Sequence, residues 1–400
     1  MEINLIDPET YARSGPPHEQ FTWLREHTPV FWHEYGGAPG WPGFWAVTKH
    51  EDVVQVSRHP EAFSSAQSST AFRELPDKIV ERRRAMIIDM DPPRHTGQRG
   101  LVNRGFTPRM IGRLEDSIRQ TCTRLLDAAL QRGEADFVAD VAGPLPVEVI
   151  CELVGAPPED RARLYELTNR MTSFDDPEVS STAVGVQATN EMYAYAAQLG
   201  ELRRREPRDD IVTRLLQPDQ DGSELTAHEF NVFVLLLVLA GNETTRNAAS
   251  GGIVALLQNP LQWQRLLADP GLIPAAAEEI IRWVSPINLF RRTAVRDIEL
   301  AGQKIAEGDK VVMFYTSANR DEAVFASPQE FDIGRDPNPH LAFGFGPHFC
   351  LGRHLAALEL RILLQAIAER MPGIRLDGPV TRLRSNFING IKQMPVRFET

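Results

Sequence analysis

Cysteine is scarce in this sequence, with three occurrences in 400 residues, at Cys122, Cys151 and Cys350. So few cysteines argue against a disulfide-built scaffold and are typical of a reducing compartment. Basic residues are also in deficit, because 43 lysines and arginines face 54 aspartates and glutamates, for a formal net charge of -11. That balance argues against a nucleic-acid partner, since phosphate contacts need a concentrated basic surface.

Long apolar runs are missing as well. The longest, VFVLLLVLAG from Val232 to Gly241, has about half of the roughly 20 residues that a membrane-spanning helix needs. The first residues, MEINLIDPETYARSG, lack the basic region and apolar core of a signal peptide. Internal repeats and long linkers are absent too. We therefore predict a cytoplasmic protein without a membrane anchor, forming a single domain over residues 1–400.

The spacing of apolar residues predicts a mainly α protein with a small β region. PVFWHE and FWAVTK flank a Gly/Pro-rich turn near residues 36–43 and predict a hairpin in a β-containing N-terminal part of about residues 1–60. Helical spacing dominates from about residue 90 to 290 and predicts a helical core. DIELAG and KVVMFY are later strand candidates, and the terminal NFINGIKQMPVRFE predicts a second hairpin.

One predicted helix is unusually long. Thr226 and Glu229 form a capping-box pattern, and nothing stops the helix before Asn259-Pro260. About thirty residues at 1.5 Å each give about 50 Å, enough to cross the whole molecule. Because the sequence is apolar almost all round from Phe230 to Leu239, the middle of this helix should be buried.

The strongest chemical signal is FGFGPHFCLGRHLA, which begins at Phe343. Gly344 and Gly346 let the backbone turn tightly and approach a flat ligand. Cys350 falls immediately before a predicted helix, whose free N–H groups and positive dipole end lower a thiol pKa. The alternative for a lone cysteine is a buried apolar thiol, and the other two cysteines, on helical apolar spacing, are assigned to that class.

This segment resembles the heme loop of the cytochrome P450 family, Phe-Gly-x-Gly-x-His-x-Cys-x-Gly. The fixed positions of that pattern are matched within residues 343–352 by Phe343, Gly344, Gly346, His348, Cys350 and Gly352. The resemblance implies one heme b (iron protoporphyrin IX) with Cys350 as the axial ligand of its iron. It also implies the cytochrome P450 fold, a triangular prism with a long central helix over the heme. Thiolate ligation pushes electron density onto iron and favours O–O cleavage.

Other family motifs appear in the expected order and extend the resemblance over nearly the whole chain. Glu279 and Arg282, three residues apart on a predicted helix, match the family's Glu-x-x-Arg pair. Arg335 in PQEFDIGR matches the third member of that ion network. An exposed pair of this kind contributes little stability. In the buried position that the family implies, losing one partner should cost about 3 to 5 kcal/mol.

Three stretches match the family's contacts to the heme propionates. His95 and Arg99 in DPPRHTGQR lie one helical turn apart, so both can reach the same anionic group. Arg292 in LFRRTA and His348 match the remaining contacts. Taken singly, each is more often a surface cation or a satisfied core histidine. Their joint presence at family spacings favours heme contact, by analogy.

The segment AGNETT, within the long helix, is expected to form the oxygen-activating site. Gly241 would leave room for dioxygen, and the Thr244 hydroxyl can loosen the helical hydrogen-bond ladder, so that a local widening would be functional. Glu243 is an acid beside an apolar stretch, where an ordinary core would not place one. The alternative is a capping or solvated helix end. The resemblance implies that Thr244 and Glu243 help to deliver protons during oxygen activation.

The resemblance implies a monooxygenase that inserts one atom of dioxygen into a C–H bond while the other leaves as water. Because the sequence carries no flavin or nicotinamide fingerprint, we expect two electrons from a separate ferredoxin and its reductase. Docking is expected on the Cys350 side, although solvated arginines are the alternative there. The basic residues concerned are Arg353, Arg104, Arg109 and Arg113.

The expected substrate is a lipophilic small molecule, because the pocket positions taken from the family's distal segments are apolar. They are Ile87, Ile88, Leu236, Leu239, Ala240, Ile287, Leu289, Phe290, Phe387 and Ile388, and most of them could equally be core. VLAGNETTRN and NFINGIK are similar to actinobacterial members that hydroxylate sterol side chains, terpenoids or long alkyl chains. The alternative is a tailoring hydroxylase or epoxidase of a polyketide, peptide or other secondary metabolite.

Two rivals come from other functional classes. One is a heme-thiolate sensor without turnover, which Thr244 and Glu243 disfavour because a sensor needs no proton relay. The other is an all-α scaffold protein with no cofactor, which would be colourless.

Overall fold

The structure is a computed structural model that describes residues 2–398 apart from 39–40, 71, 73–79, 82, 173–180 and 219–221. Helices dominate the described part of the chain. In chain order they are α1 (Pro8–Ser14), α2 (His18–His27), α3 (His50–Arg58), α4 (Arg94–Asn103), α5 (Pro108–Gly112), α6 (Glu115–Arg132), α7 (Pro144–Val154), α8 (Arg161–Thr172), α9 (Thr182–Arg205), α10 (Ile211–Leu215), α11 (Ala227–Gln258), α12 (Pro260–Ala268), α13 (Ile273–Val284), α14 (Tyr315–Ala318) and α15 (Arg353–Arg370). The prediction of a mainly α fold is confirmed.

The strands are short and form small sheets. They are β1 (Val30–Ala38), β2 (Trp41–Val47), β3 (Phe63–Ser64), β4 (Glu134–Asp136), β5 (Leu289–Ala294), β6 (Ile298–Leu300), β7 (Gln303–Ile305), β8 (Lys310–Phe314), β9 (Arg375–Leu376), β10 (Thr381–Arg382), β11 (Ile391–Gln393) and β12 (Pro395–Arg397). The largest sheet among the described residues has five strands in the order β1-β2-β8-β5-β3. Its β1–β2 pair is the predicted N-terminal hairpin, with Val30 opposite Val47.

The long central helix forms as its sequence predicts. Thr226 caps α11 by accepting from the Glu229 N–H, while the Glu229 side chain accepts from the Thr226 N–H, which completes the capping box. The helix runs for 32 residues to Gln258 and packs against α7, α8, α9, α13 and α15. It stays α-helical throughout, so the local widening considered at AGNETT is not present. The Thr244 hydroxyl instead donates to the Ala240 carbonyl at 2.7 Å within an unbroken helix.

The predicted C-terminal hairpin is wrong. β11 pairs with β10, whereas β12 pairs with β4 and β9, so the two last strands belong to different sheets. Met394 between them is fully buried, and its carbonyl accepts from the Phe137 N–H at 2.9 Å. Because Pro395 has no N–H to continue the first ladder, the chain crosses at this point to the second sheet.

The largest hydrophobic cluster lies between α6, α7, α11, α13 and α15. Two smaller clusters cover the faces of the five-stranded sheet. Among the described residues, no helix combines the length and apolar character needed to cross a bilayer.

Candidate functional site

The loop before α15 is shaped by its two glycines. Gly344 and Gly346 have φ of 72° and 69°, in the left-handed region that favours glycine. A Cβ on Gly346 would lie 2.6 Å from the Ser57 carbonyl oxygen, so this position also needs glycine for its close approach to the end of α3. The Cys350 N–H donates to the Phe343 carbonyl at 2.9 Å and closes the loop. Cys350 is thereby presented three residues before α15 begins.

The sulfur of Cys350 accepts hydrogen bonds from backbone groups at the start of α15, as the sequence predicts. The backbone N–H groups of Gly352 and Arg353 donate to it, and Arg99 adds a positive charge nearby. Although the residue is accessible, protein atoms crowd around the sulfur, and this burial raises the thiol pKa more than the donors lower it. The prediction of a lowered pKa therefore fails for the protein alone. A metal cation at the sulfur would supply the missing stabilisation of the thiolate.

The other two cysteines behave as core residues. Cys122 and Cys151 are fully buried, and burial raises the pKa of each thiol to about 12. Such thiols are inert packing groups.

Four basic side chains, which we call the cation cluster, converge beside Cys350: His95, Arg99, Arg292 and His348. The rings of His95 and His348 have their centroids 4.3 Å apart. Arg99 donates to the Phe349 carbonyl at 2.8 Å, next to Cys350. Three separate segments, namely α4, β5 and the loop before α15, thus contribute to one electropositive region.

Burial lowers the pKa of all four side chains of the cluster. Burial, then Arg292 and His95, lowers the pKa of His348 to about 2. Burial, then Arg99, lowers the pKa of His95, and burial lowers the pKa of Arg292. Burial disfavours the charged form of all four groups, and for the two histidines the neighbouring basic groups add to this effect.

The charges of Asp91 and Asp89 act on Arg292, but no carboxylate among the described residues accepts a hydrogen bond from the cluster. Arg99 and Arg292 donate to carbonyl and amide oxygens there, and to no carboxylate. The buried Nε2 of His95 has no hydrogen-bond partner. Arginine forks and imidazole donors match the carboxylates of a ligand in geometry and charge. The donor set therefore fits the propionates of a heme whose iron lies at the Cys350 sulfur.

The middle of α11 presents two different faces. Ala240 is exposed and Thr244, one turn later, is partly exposed. Glu243 is buried, forms an ion pair with Arg246, and accepts from the Asn247 amide at 2.9 Å. The alternative of a solvated or capping acid is thus excluded.

Gly241 has a different neighbour from the one expected. A Cβ at this position would lie 2.5 Å from Cδ1 of Ile150 on α7. Close packing of α11 on α7 therefore explains the glycine, and the expectation that it leaves room for dioxygen receives no support from this geometry.

The predicted pocket residues divide into two groups. Phe290 and Phe387 meet with ring centroids 5.6 Å apart, and Ile287 forms a β-bridge with Ile388. Leu289, in contrast, is fully buried in the core cluster on the other side of β5. Its assignment to the pocket is a correction, because alternate residues of a strand point to opposite faces.

The remaining pocket candidates lie along α11 and before α4. Ile87 is buried, whereas Ile88, Leu236 and Leu239 are partly exposed and Ala240 is exposed.

The predicted ion network is assembled and buried. We call Glu279, Arg282 and Arg335 the Glu279 network. Glu279 and Arg282 are 0% exposed and 2.7 Å apart, and Arg335 reaches the same carboxylate at 3.1 Å. Arg282 also donates to the Asn319 and Pro328 carbonyls, so nearly all of its polar capacity is used.

The predicted docking arginines are only partly available. Arg353 is 41% exposed and lies 3.8 Å from Glu278. Arg113 forms an ion pair with Asp209, Arg104 donates to the Leu101 and Pro218 carbonyls, and Arg109 is exposed.

Several contacting residues were missed from the sequence. Arg246 and Asn247 hold Glu243, and their spacing of three and four residues on one helix was a readable signal. Ser65 contacts His348 Nε2 at 3.2 Å, and the His348 ring donates to the Met90 carbonyl. Those contacts join distant segments, which no local pattern reveals.

Comparisons with known proteins agree with this site. A family model described as Cytochrome P450 matches residues 267–371. The chain is 43% identical to a steroid C26-monooxygenase from Rhodococcus jostii (strain RHA1), over 100% of this chain and 85% of the relative. It is 42% identical to a methyl-branched lipid omega-hydroxylase from Mycobacterium bovis, over 94% of this chain and 90% of the relative. A solved Mycobacterium marinum cytochrome P450 in complex with pseudoionone aligns with a TM-score of 0.92 and 38% identity, over 100% of this chain and 99% of that one.

Proposed function

Because the chain belongs to the cytochrome P450 family and is therefore a heme monooxygenase, we propose that it hydroxylates a lipophilic substrate, namely a sterol side chain, a terpenoid or a long alkyl chain. The observation that carries the site assignment is the cation cluster beside Cys350, in which Arg99 and Arg292 donate to no carboxylate among the described residues. We assign Cys350 as the iron ligand and the four basic side chains of the cluster as propionate contacts. When bound, the heme supplies the binding and activation of dioxygen.

The protein's own part is to position, shield and supply protons. The Gly352 and Arg353 N–H groups hold the Cys350 sulfur in place. Thr244 lies on the more accessible face of α11, where its hydroxyl can pass a proton toward the site, and Glu243 is the acid next to it. Ala240 and Phe290 would shape the apolar space in which the substrate binds. We also propose a cytoplasmic location, which the three unbridged cysteines support.

The test of the metal site is spectroscopic. Purified protein should contain heme, and its reduced carbon monoxide complex should show the band that is characteristic of thiolate ligation. Cys350→Ala should abolish that band, whereas Cys151→Ala, which removes a buried core thiol, should keep it. An unchanged band in Cys350→Ala would overturn the ligand assignment.

The substrate proposal is supported by the relatives named above, which act on steroids and methyl-branched lipids. Titration with cholestenone, a terpenol and a branched fatty acid should shift the heme spectrum for at least one of them. Phe290→Ala should weaken that binding without unfolding the protein. Leu289→Ala, one residue away on the opposite face of β5, should instead lower stability by about 2 to 5 kcal/mol. No spectral response to any of the three classes would count against a lipophilic substrate.

We propose further that the two electrons come from a ferredoxin, itself reduced by a ferredoxin reductase, which docks on the Cys350 side. Arg353 is the exposed cation closest in sequence to the ligand. Arg353→Gln should slow electron transfer from ferredoxin, and the effect should fade as salt screens the charge. Arg370→Gln, at the far end of α15, is the matched control. Equal rates for the wild type and Arg353→Gln would remove this residue from the docking surface.

A further inference from the structure

Glu243 is joined to α8 through its ion-pair partner. The Arg246 guanidinium uses one nitrogen for the Glu243 carboxylate and another for the Asn169 side-chain oxygen on α8, at 2.9 Å. A planar, forked guanidinium can bridge two acceptors in fixed directions, which a single ammonium group does less well. Arg246 therefore sets both the direction of the carboxylate and its distance from α8.

A second bond joins the same two helices one turn earlier. The Asn242 amide donates to the Thr168 hydroxyl at 2.8 Å, and both residues are fully buried. Asn247 holds Glu243 from the C-terminal side. The acid thus sits in a polar cluster between α8 and α11, and buried polar networks are strongly directional because their groups have no alternative partners.

Three buried polar atoms near Glu243 make no hydrogen bond within the described part of the chain. Asn242 Oδ1, Arg246 Nε and Asn247 Oδ1 are buried and have no partner among the described residues. Buried groups of this kind bind ordered water. Water held here would place exchangeable protons within reach of the Glu243 carboxylate.

We propose that Arg246 and Asn169 are positioning residues that hold the Glu243 carboxylate in its proton-donating direction and link it to α8. The inference rests on the proposed role of Glu243 in proton supply. On this proposal, the Arg246–Asn169 bond between α11 and α8 raises the amount of product formed per NADPH consumed, in addition to any effect on folding. A loosened carboxylate would deliver protons at the wrong place, so more electrons would be lost to peroxide and water.

The experiment is a double-mutant cycle on the heme-loaded enzyme, with Glu243→Gln, Arg246→Gln and the double variant. The readouts are product formed per NADPH consumed, the solvent deuterium isotope effect, the reduced carbon monoxide spectrum and thermal unfolding. Arg246→Gln should lower product per NADPH by about tenfold, with an unchanged spectrum, because misplacing a reacting group is costly. In the Glu243→Gln background the same substitution should have no further effect.

Conservative variants guard against misfolding. Arg246→Lys should recover part of the coupling, that is, of the product formed per NADPH consumed. Lysine keeps the positive charge but bridges Glu243 and Asn169 less well than arginine does. Asn169→Ala removes the bond from Arg246 to α8 and should lower product per NADPH by about threefold. Arg170→Gln, the next residue on α8, whose ion-pair partners include Glu166 and Glu191, is the control. It should leave coupling unchanged.

The outcomes separate this inference from the function on which it rests. If Glu243→Gln leaves coupling and the isotope effect unchanged, the proposed proton role of Glu243 fails. If Glu243→Gln is impaired but Arg246→Gln adds its full effect in the double variant, the positioning role fails. If Asn169→Ala matches the wild type, the Arg246–Asn169 bond has no part in positioning Glu243, and that half of the proposal fails.

Discussion

The Glu279 network and the cation cluster are both made of buried basic side chains, yet they differ in where their charge is balanced. In the first, the Glu279 carboxylate lies 2.7 Å from Arg282 and 3.1 Å from Arg335. The Asn338 amide donates to the same carboxylate, and backbone carbonyls accept from the remaining donors of Arg282. In the second, four basic groups face one another, and burial lowers the pKa of each of them.

The difference separates structural charges from ligand-binding charges. A buried ion that is paired within the chain costs stability when its partner is removed, because the remaining charge is left uncompensated. A buried cation that is not paired with a carboxylate of the chain already carries part of that cost in the protein alone, and an anionic ligand relieves it. Charge is buried in both regions. In the Glu279 network it contributes to the stability of the protein alone, whereas in the cation cluster it lowers that stability and raises the affinity for an anionic ligand.

The largest expected effect is in the Glu279 network. Glu279→Gln leaves Arg282 and Arg335 buried without a counter-charge and should lower the free energy of unfolding by about 3 to 5 kcal/mol. Urea denaturation measures this change. Glu278→Gln is the matched control, because that neighbouring acid is 31% exposed, its ion pair with Arg353 is long, and a glutamine oxygen can still accept from His340. It should cost no more than about 1 kcal/mol. Equal losses for the two variants would contradict the assignment of stability to Glu279.

The cation cluster should respond in the opposite way. Arg292→Gln should weaken heme binding by about tenfold or more, since a hydrogen bond to a charged group contributes about 1.5 to 3 kcal/mol. The heme-free chain should lose little stability, because the substitution removes a buried cation that is paired with no carboxylate. Heme transfer to an apoglobin acceptor and urea denaturation of the heme-free protein measure the two quantities.

The control for this prediction is the preceding residue on the same strand. Arg291 points to the other face of β5 and donates to the Ser69 and Phe72 carbonyls. Arg291→Gln should therefore lower stability while heme affinity is retained. If Arg292→Gln destabilises the heme-free chain as much as Arg291→Gln does, Arg292 is a structural charge and its assignment to ligand binding is contradicted.

The sequence was sufficient where one local pattern determines one structure. The capping box at Thr226 and the stop at Asn259 defined α11, because both signals act within one helical turn. The spacing of Glu279 and Arg282 placed them on one helix face, and the glycines of the loop before α15 marked its left-handed residues. The single-domain organisation stays a prediction.

Sequence reasoning failed where the decisive neighbour is distant in the chain. The face of β5 that carries Leu289 depends on strands that pair across the sheet, so alignment alone misplaced it. Gly241 is fixed by Ile150, about ninety residues earlier. The β12 strand finds its partners at Glu134–Asp136 and Arg375–Leu376 and not in the adjacent strand. Local periodicity does not choose among such partners.

The last prediction concerns Glu359 on α15, an acid that is buried in the protein. Its Oε2 atom is buried without a partner in the described structure, and burial raises its pKa from 4.5 to about 8. The folded protein therefore holds a proton that the unfolded chain releases between those values. Stability should fall as pH rises through this window, by up to about 1.4 kcal/mol for each pH unit.

Glu359→Gln keeps the shape of the neutral acid but cannot ionise, so its stability should be independent of this group. Urea unfolding from pH 5 to pH 8.5, about the window of the Glu359 pKa shift, compares the two proteins. The variant and the wild type should agree near the acid end, and the variant should be the more stable at the alkaline end. Parallel curves would mean that Glu359 is ionised in the folded state. The chain would then stabilise a buried charge without an internal partner, and the distinction between the Glu279 network and the cation cluster would lose its basis.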